Sequence, residues 1–154
     1  MMTLYFLRHG EADWPGWDRP DDERPLTRKG KKEMRQVARF LCTQKIAPAR
    51  VLSSPLPRAW QTAEIAAEHL HVELRKEPLL GKGFNLAKLK TILKRESAKV
   101  LMLVGHEPDF CAVIGDLTGG NLKLAKAGLA RVEVTEAARN GRLIWLVPPR
   151  ISTA

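Results

Sequence analysis

The sequence has little cysteine, few aromatic residues and no long hydrophobic run. Its two cysteines, Cys42 and Cys111, cannot form the disulfide framework of a small secreted domain, and their spacing matches no metal-binding pair. No apolar run exceeds the five residues of 100–104, a length far too short to cross a bilayer. The first residues lack the basic head and cleavage site of a signal peptide. These absences predict a cytoplasmic protein with no membrane partner.

Acidic residues are scarce beside basic ones. The chain has 26 Lys and Arg against 17 Asp and Glu, a net charge of +9, which suggests an anionic partner such as nucleic acid, acidic lipid or a phosphorylated molecule. Residues 24–50 hold nine basic side chains against one acid, and residues 75–99 hold eight against two. These diffuse faces are typical of solvated surface. With one tyrosine, and with the only aromatic cluster in an acidic loop, we expect no nucleic-acid partner.

Length and composition indicate one globular domain over residues 1–154. Its 44% hydrophobic residues are enough to build a full core, and its 28% charged residues are enough to form a solvated surface. Strand-like and helix-like segments alternate along it. Strands are predicted at 3–7, 50–53, 72–74, 100–104, 130–134 and 143–147, and helices at 27–42, 55–70, 86–93 and 108–117. This order predicts an α/β fold, a three-layer α/β/α sandwich whose mostly parallel sheet has an antiparallel C-terminal strand.

Local signals predict how two of the helices begin and which cysteines are buried. Thr27 is expected to cap the first helix, and Ser54 to cap the second with Pro55 at its first helical position. Cys42 and Cys111 each fall on the apolar face of a predicted helix. We therefore expect both to be small buried hydrophobic residues.

Three polar segments each follow a predicted strand: residues 8–10 (Arg-His-Gly), 53–58 (Ser-Ser-Pro-Leu-Pro-Arg) and 105–108 (Gly-His-Glu-Pro). In open α/β sheets the ligand crevice lies beyond the carboxyl ends of the strands. Arginine offers planar recognition of phosphate oxygens, and imidazole can attack phosphorus when it is neutral. The pattern predicts a phosphate-binding crevice formed by Arg8, His9, Arg58 and His106.

These segments resemble the sequence blocks of a known family. Residues 7–11 (Leu-Arg-His-Gly-Glu) resemble the RHG(E/D) signature of the histidine phosphatase superfamily, and residues 53–63 and 104–106 resemble its second and third blocks. Residues 24–30 are similar to those of the short, SixA-like phosphohistidine phosphatases. The resemblance implies that His9 is the nucleophile and forms a transient phosphohistidine, with Arg8, Arg58 and His106 holding the phosphoryl oxygens. It also implies that neither a metal nor a cofactor is needed.

One departure from the family concerns the general acid. Larger relatives supply a carboxylate from an insertion between the second and third blocks, and that interval is short here. Glu77 lies in that interval, and Glu11, Asp13 and Glu107 lie near the histidines in the sequence, but none of the four is a convincing general acid. A missing acid suits a phosphoramidate, whose imidazole leaves readily, better than an alkyl phosphate, whose hydrolysis is very slow without catalysis.

The preferred hypothesis is a phosphatase for phosphohistidine on a phosphotransfer protein. A phosphatase for small phosphate monoesters and a non-catalytic phosphate-binding or nucleic-acid-binding module remain as alternatives. Glu11, Trp14 and Arg24 are assigned to substrate binding. Trp14 and Trp17 are interpreted as a mobile lid or an aromatic wall for a protein substrate, and pinning of the long loop to the surface is an equal alternative. No histidine spacing supports a metal site.

Overall fold

The computed structural model describes residues 1–154, and strands alternate with helices along them. The strands are β1 (Met2–Arg8), β2 (Arg50–Ser53), β3 (Glu73–Lys76), β4 (Val100–Gly105), β5 (Leu129–Val134) and β6 (Gly141–Val147). The helices are α1 (Arg28–Thr43), α2 (Pro57–Leu70), α3 (Leu86–Arg95), α4 (Asp109–Thr118) and the short α5 (Pro149–Ser152). None of these helices is long and apolar enough to span a membrane.

The six strands form one sheet in the order β3-β2-β4-β1-β5-β6. Strands β3, β2, β4 and β1 are mutually parallel, whereas β5 is antiparallel to both β1 and β6. The prediction of a mostly parallel sheet with an antiparallel element at its C-terminal end is therefore confirmed. The single reversed strand is β5, so the last strand, β6, runs in the same direction as β1.

Two hydrophobic clusters, one on each face of the sheet, explain the three layers. The two central strands are buried on both sides, so their side chains alternate between clusters: Leu4 and Phe6 face one, and Tyr5 and Leu7 face the other. Helices α3 and α4 cover the first face, and α1 and α2 cover the second. The continuous apolar run in β4 follows from this double burial, and the predicted α/β/α sandwich is confirmed.

Helix α1 begins where the sequence predicts. Thr27 is its N-cap, and the Thr27 hydroxyl accepts a hydrogen bond of 3.0 Å from the N–H of Gly30. The predicted burial of Cys42 is wrong. Cys42 lies one residue beyond buried Leu41, at the edge of the apolar stripe, where its side chain is exposed and contacts the carbonyl oxygen of His69. The other cysteine, Cys111, is half-buried.

Helix α2 begins later than the sequence predicts. Its first residue is Pro57 and its N-cap is Leu56, so Ser54 does not cap it. A residue that precedes a proline is driven to extended backbone, and Leu56 has ψ 138°, which keeps residues 55 and 56 out of the helix. The correction matters for function, because the Ser54 hydroxyl accepts a 3.2 Å hydrogen bond from the N–H of Leu56 instead of capping the helix, and it also contacts another segment.

The loop that follows β1 lies directly against the start of α1. The backbone oxygen of Glu11 accepts a 3.0 Å hydrogen bond from the N–H of Thr27. A Cβ atom on Gly30 would overlap this same Glu11 oxygen, so only glycine permits the approach. The first helix thus fixes the backbone two residues after His9.

Candidate active site

Two histidines meet at the carboxyl ends of the two central strands. His9 follows β1 and His106 follows β4, and the strand register pairs Arg8 with Gly105. The His9 N–H donates to the Gly105 carbonyl at 3.1 Å, which locks the two strand ends together. The ring centroids lie 5.4 Å apart, and both residues are buried, with 7% and 4% of their surfaces exposed.

The surroundings of His9 select one tautomer of its neutral imidazole. Its Nδ1 lies 2.7 Å from the carbonyl oxygen of Gly10, which can only accept, so Nδ1 carries the proton. The Nε2 atom therefore holds a free lone pair. The N–H of Gly10 in turn donates to the hydroxyl of Thr62 on α2 at 3.0 Å. Helix α2 thus helps to hold the backbone that orients the ring.

His106 is held by a serine that sequence reasoning assigned to a different role. Its Nε2 lies 2.8 Å from the Oγ of Ser54, which follows β2. Its Nδ1 is buried and has no hydrogen-bond partner within the protein. The motif order predicted that residues 53–58 and His106 would converge, but the Ser54–His106 bond depends on where α2 begins.

Two arginines complete the cluster. Arg8 donates from Nη1 to the carbonyl of Leu124 at 3.0 Å. Arg58, 5% exposed in the first turn of α2, donates from Nη1 to the carbonyl oxygen of Asp21 at 3.0 Å. Its Nη2 lies 3.5 Å from the Asp21 carboxylate. The Asp21 contact was not foreseen, because nothing local in the sequence indicates that the loop folds back over Arg58.

Unsatisfied polar atoms concentrate in this cluster. Five buried side-chain nitrogen or oxygen atoms in the protein have no partner, and three of them are Arg8 Nε, Arg58 Nε and His106 Nδ1. A buried donor without an acceptor costs roughly 1–3 kcal/mol. A bound oxyanion supplies several acceptor oxygens at once. The cluster therefore has the composition and the unmet hydrogen-bonding capacity of a phosphate site.

Both imidazoles are neutral at physiological pH. Burial lowers the pKa of His9 to about 3; the Gly10 hydrogen bond opposes this effect, and the charges of His106, Arg58 and Arg8 add to it. Burial, followed by the charge of Arg58, lowers the pKa of His106 to about 4. A neutral imidazole with a free Nε2 lone pair is the nucleophilic form.

These lowered pKa values predict acid-sensitive stability. Below pH 6.5 the two imidazoles bind protons in the unfolded chain but stay neutral in the folded protein. The free energy of unfolding therefore falls as the pH drops. We expect a loss of about 2 kcal/mol for each histidine between pH 7.5 and pH 5. The His9→Gln/His106→Gln double variant should lose about 4 kcal/mol less than the original protein over that interval.

Urea unfolding at the two pH values measures this difference. The exposed His71 serves as a control, since His71→Asn should leave the pH dependence of the original protein unchanged. Equal losses in the double variant and the original protein would contradict the burial of two neutral imidazoles.

The three residues assigned to substrate binding have other partners in the structure. The hydroxyl of Thr27 donates to the carboxylate of Glu11. The indole N–H of Trp14 donates to the carbonyl of Pro25 at 2.8 Å, so this side chain braces the loop from within. Trp17 does the same through the carbonyl of Pro20, at 3.1 Å.

Arg24 also organises the loop. It donates to the carbonyl of Ala12 at 2.6 Å and to the carboxylate of Asp21 at 2.8 Å. None of the hydrogen bonds made by Glu11, Trp14 or Arg24 reaches the two histidines or Arg58. Their assignment to substrate binding stays a prediction, and their observed contacts shape the loop that borders the site.

The carboxylates considered as general acids are all engaged. Their partners are Thr27 for Glu11, Lys126 for Asp13, Arg95 for Glu77 and the backbone N–H of Cys111 for Glu107. The carboxylate nearest Arg58 is Asp21, whose hydrogen bond from Arg24 lowers its pKa. An ionised carboxylate with a lowered pKa is a poor proton donor.

The histidines outside the site form no metal centre. His69 and His71 lie at the C-terminal end of α2, and the Nδ1 of His69 contacts the carbonyl of Ile65 at 2.9 Å. No group of three or more His, Cys, Asp or Glu side chains is arranged to hold a metal ion.

Comparison with known families agrees with the fold and the site. The family model of the Histidine phosphatase superfamily (branch 1) matches residues 4–81, about half of the chain. The chain belongs to the histidine phosphatase superfamily and is a hydrolase of the phosphatase class.

Two relatives and one solved structure are similar to this chain over most of its length. Phosphohistidine phosphatase SixA from Escherichia coli (strain K12) is 30% identical over 156 residues, covering 96% of this chain and 94% of SixA. An uncharacterised protein of Picosynechococcus sp. (strain ATCC 27264 / PCC 7002 / PR-6) is 41% identical over 137 residues, 83% of this chain and 82% of its own. A solved structure of the protein histidine phosphatase SixA complexed with tungstate has a TM-score of 0.87 at 27% identity, covering 97% of this chain and 99% of that one.

Proposed function

We propose that the protein dephosphorylates phosphohistidine on a phosphotransfer protein through a phosphoenzyme formed on His9. The observation that carries this proposal is the concentration of unsatisfied buried donors around the free Nε2 lone pair of a neutral histidine. The similarity to SixA, a phosphohistidine phosphatase, supports the choice of substrate class. The cytoplasmic location predicted from the sequence stays a prediction.

The proposed reaction has two displacements at phosphorus. In the first, the Nε2 lone pair of His9 forms an N–P bond while the bond from phosphorus to the substrate imidazole breaks. In the second, a water oxygen forms an O–P bond, the His9 N–P bond breaks, and inorganic phosphate leaves with neutral His9 restored. Arg8, Arg58 and His106 donate to the phosphoryl oxygens and stabilise their charge during both steps.

The lack of an unengaged carboxyl group that could donate a proton supports a phosphoramidate substrate. Every carboxylate near the cluster is engaged by another group, so the leaving atom receives little acid assistance from the protein. An imidazole leaving group takes up a proton from solvent at neutral pH. An alkoxide leaving group needs a proton from a positioned acid.

Parallel assays with phosphohistidine and glycerol 3-phosphate, an alkyl phosphate monoester, in the presence of a chelator, test the proposal. We expect phosphate release from phosphohistidine to exceed ester hydrolysis by at least about a hundredfold in kcat/KM, since acid catalysis contributes roughly 10²–10⁴. Faster ester hydrolysis would contradict the proposal and indicate a small-monoester phosphatase with a working acid. Binding of phosphate without turnover of either compound would indicate a non-catalytic module.

A further inference from the structure

A groove beside the candidate active site has unpaired cations as three of its seven lining residues. It has a volume of about 570 Å³ and lies between the loop after β1 and the start of α1. Arg28, Lys31 and Arg35 line one wall, spaced so that they share one side of α1. Trp14 and Gln61 are among the residues that line the remainder. We call this cavity, with its lining residues Trp14, Arg28, Lys31, Arg35 and Gln61, the basic groove.

The cations of α1 differ from most of those around the histidines. All six basic residues of α1 are exposed, and none of them forms an ion pair. Near the cluster, by contrast, Arg24, Arg58, Lys82 and Lys126 each contact a carboxylate. The only acid in α1 is Glu33. The three cations of the groove therefore have no carboxylate partner within this chain, and an anionic molecule can pair with them.

The groove is linked to the site through helix α2, which carries both Arg58 and Gln61. Gln61 lies about one turn of α2 after Arg58, and its Oε1 accepts a 2.8 Å hydrogen bond from the N–H of Leu26. The hydrogen bond from Trp14 to Pro25 fixes the indole on the opposite side. A chain whose phosphorylated side chain reaches His9 would lay its flanking residues along this groove.

We propose that the basic groove docks an acidic segment that flanks the phosphorylated histidine of the substrate protein. This inference rests on the proposed function, and it identifies the part of the partner that the enzyme recognises. Three exposed cations in a row complement a run of Asp or Glu. A nucleic acid fits less well, because the one groove indole is bonded to the loop and no second aromatic side chain is there to stack on a base.

A pair of synthetic peptides tests the docking. Both carry one chemically phosphorylated histidine, flanked by four glutamates in the first peptide and by four glutamines in the second. We expect kcat/KM to be about tenfold higher for the glutamate peptide at low salt, which corresponds to about 1.4 kcal/mol. The preference should shrink toward 0.3 M salt because exposed ion pairs are screened.

Matched variants locate the effect on the protein. Arg28→Gln/Lys31→Gln/Arg35→Gln should abolish the preference while leaving kcat/KM for the glutamine peptide unchanged. Lys90→Gln/Lys94→Gln/Lys99→Gln removes the same charge on the opposite side of the sheet and should retain the preference. Glutamine is a good helix former at the positions that lie in α1 and α3, and Lys99 lies outside a helix. Thermal unfolding checks the folding of both variants.

Several results would overturn the inference. These are an equal kcat/KM for the two peptides, a preference that survives in the groove variant, and a preference lost in both variants alike. Stronger binding of a single-stranded RNA than of the glutamate peptide at 0.15 M salt would assign the groove to nucleic acid instead. Fluorescence anisotropy with unphosphorylated peptides reports docking without turnover, so it separates a failure of the groove from a failure of the proposed function.

Discussion

Replacing His9 with alanine should lower kcat toward phosphohistidine by about 10⁴-fold or more, because removal of a covalent nucleophile leaves only binding and electrostatic stabilisation. The site offers no second nucleophile in the same place, since the Nε2 of His106 is occupied by Ser54. The substrate affinity should change little, as Arg8 and Arg58 still donate to the phosphoryl oxygens. Steady-state phosphate release and the KM measure these two effects separately.

Trapping the phosphoenzyme tests whether His9 itself carries the phosphoryl group. Rapid acid-free quenching of the original protein with radiolabelled substrate should show stoichiometric label on the protein, and His9→Ala should show none. His71→Asn, which changes a surface imidazole, should label normally. Label retained by His9→Ala would place the nucleophile elsewhere and overturn the proposed mechanism.

Replacing Arg58 with alanine should lower kcat/KM by about 10³-fold, within the range seen when a preorganised donor to a developing charge is removed. The side chain is almost fully buried and its Nε has no acceptor within the protein, so no surface group can substitute for it. Its loss also removes one of the cations that pair with the Asp21 carboxylate and leaves Arg24 and Lys82, so the negative charge beside the incoming phosphate is less compensated. Both effects act in the same direction.

Two further variants separate the role of Arg58 from general damage. Arg58→Lys should recover part of kcat/KM, because it restores the charge without the planar array of donors. Arg50→Ala removes an arginine that pairs with Glu73 and Glu96 at the other end of β2, and it should leave kcat/KM near that of the original protein. An Arg58→Ala variant as active as Arg50→Ala would show that Arg58 does not contact the substrate.

The sequence predicted the features of the fold that depend on periodicity. Alternating and continuous apolar patterns located the strands, and Thr27 marked the start of α1. The start of α2 was misplaced because two prolines, Pro55 and Pro57, each fit a first helical position. The choice between them depends on how Pro57 restricts Leu56. That restriction is local, but its consequence, the contact of Ser54 with His106, is not.

The convergence of the four central site residues was predictable because each follows a strand whose end lies at one edge of the sheet. The contacts of Asp21 with Arg58 and of Glu77 with Arg95 were not, since they join segments with no shared period or motif. The pKa of His9 was also beyond prediction. It depends on burial, which only the packed structure defines.

The position of β4 between β1 and β2 has a consequence for synthesis of the chain. A nascent chain that has emerged as far as residue 81 already contains His9 and Arg58, but its first two strands have no common neighbour. Their facing edges stay unpaired until residue 105 follows residue 8 out of the ribosome, roughly 5–20 s later at ordinary translation rates. During that interval the growing chain carries open strand edges that can pair with other chains. The two histidines come together only when the late strand fills the gap.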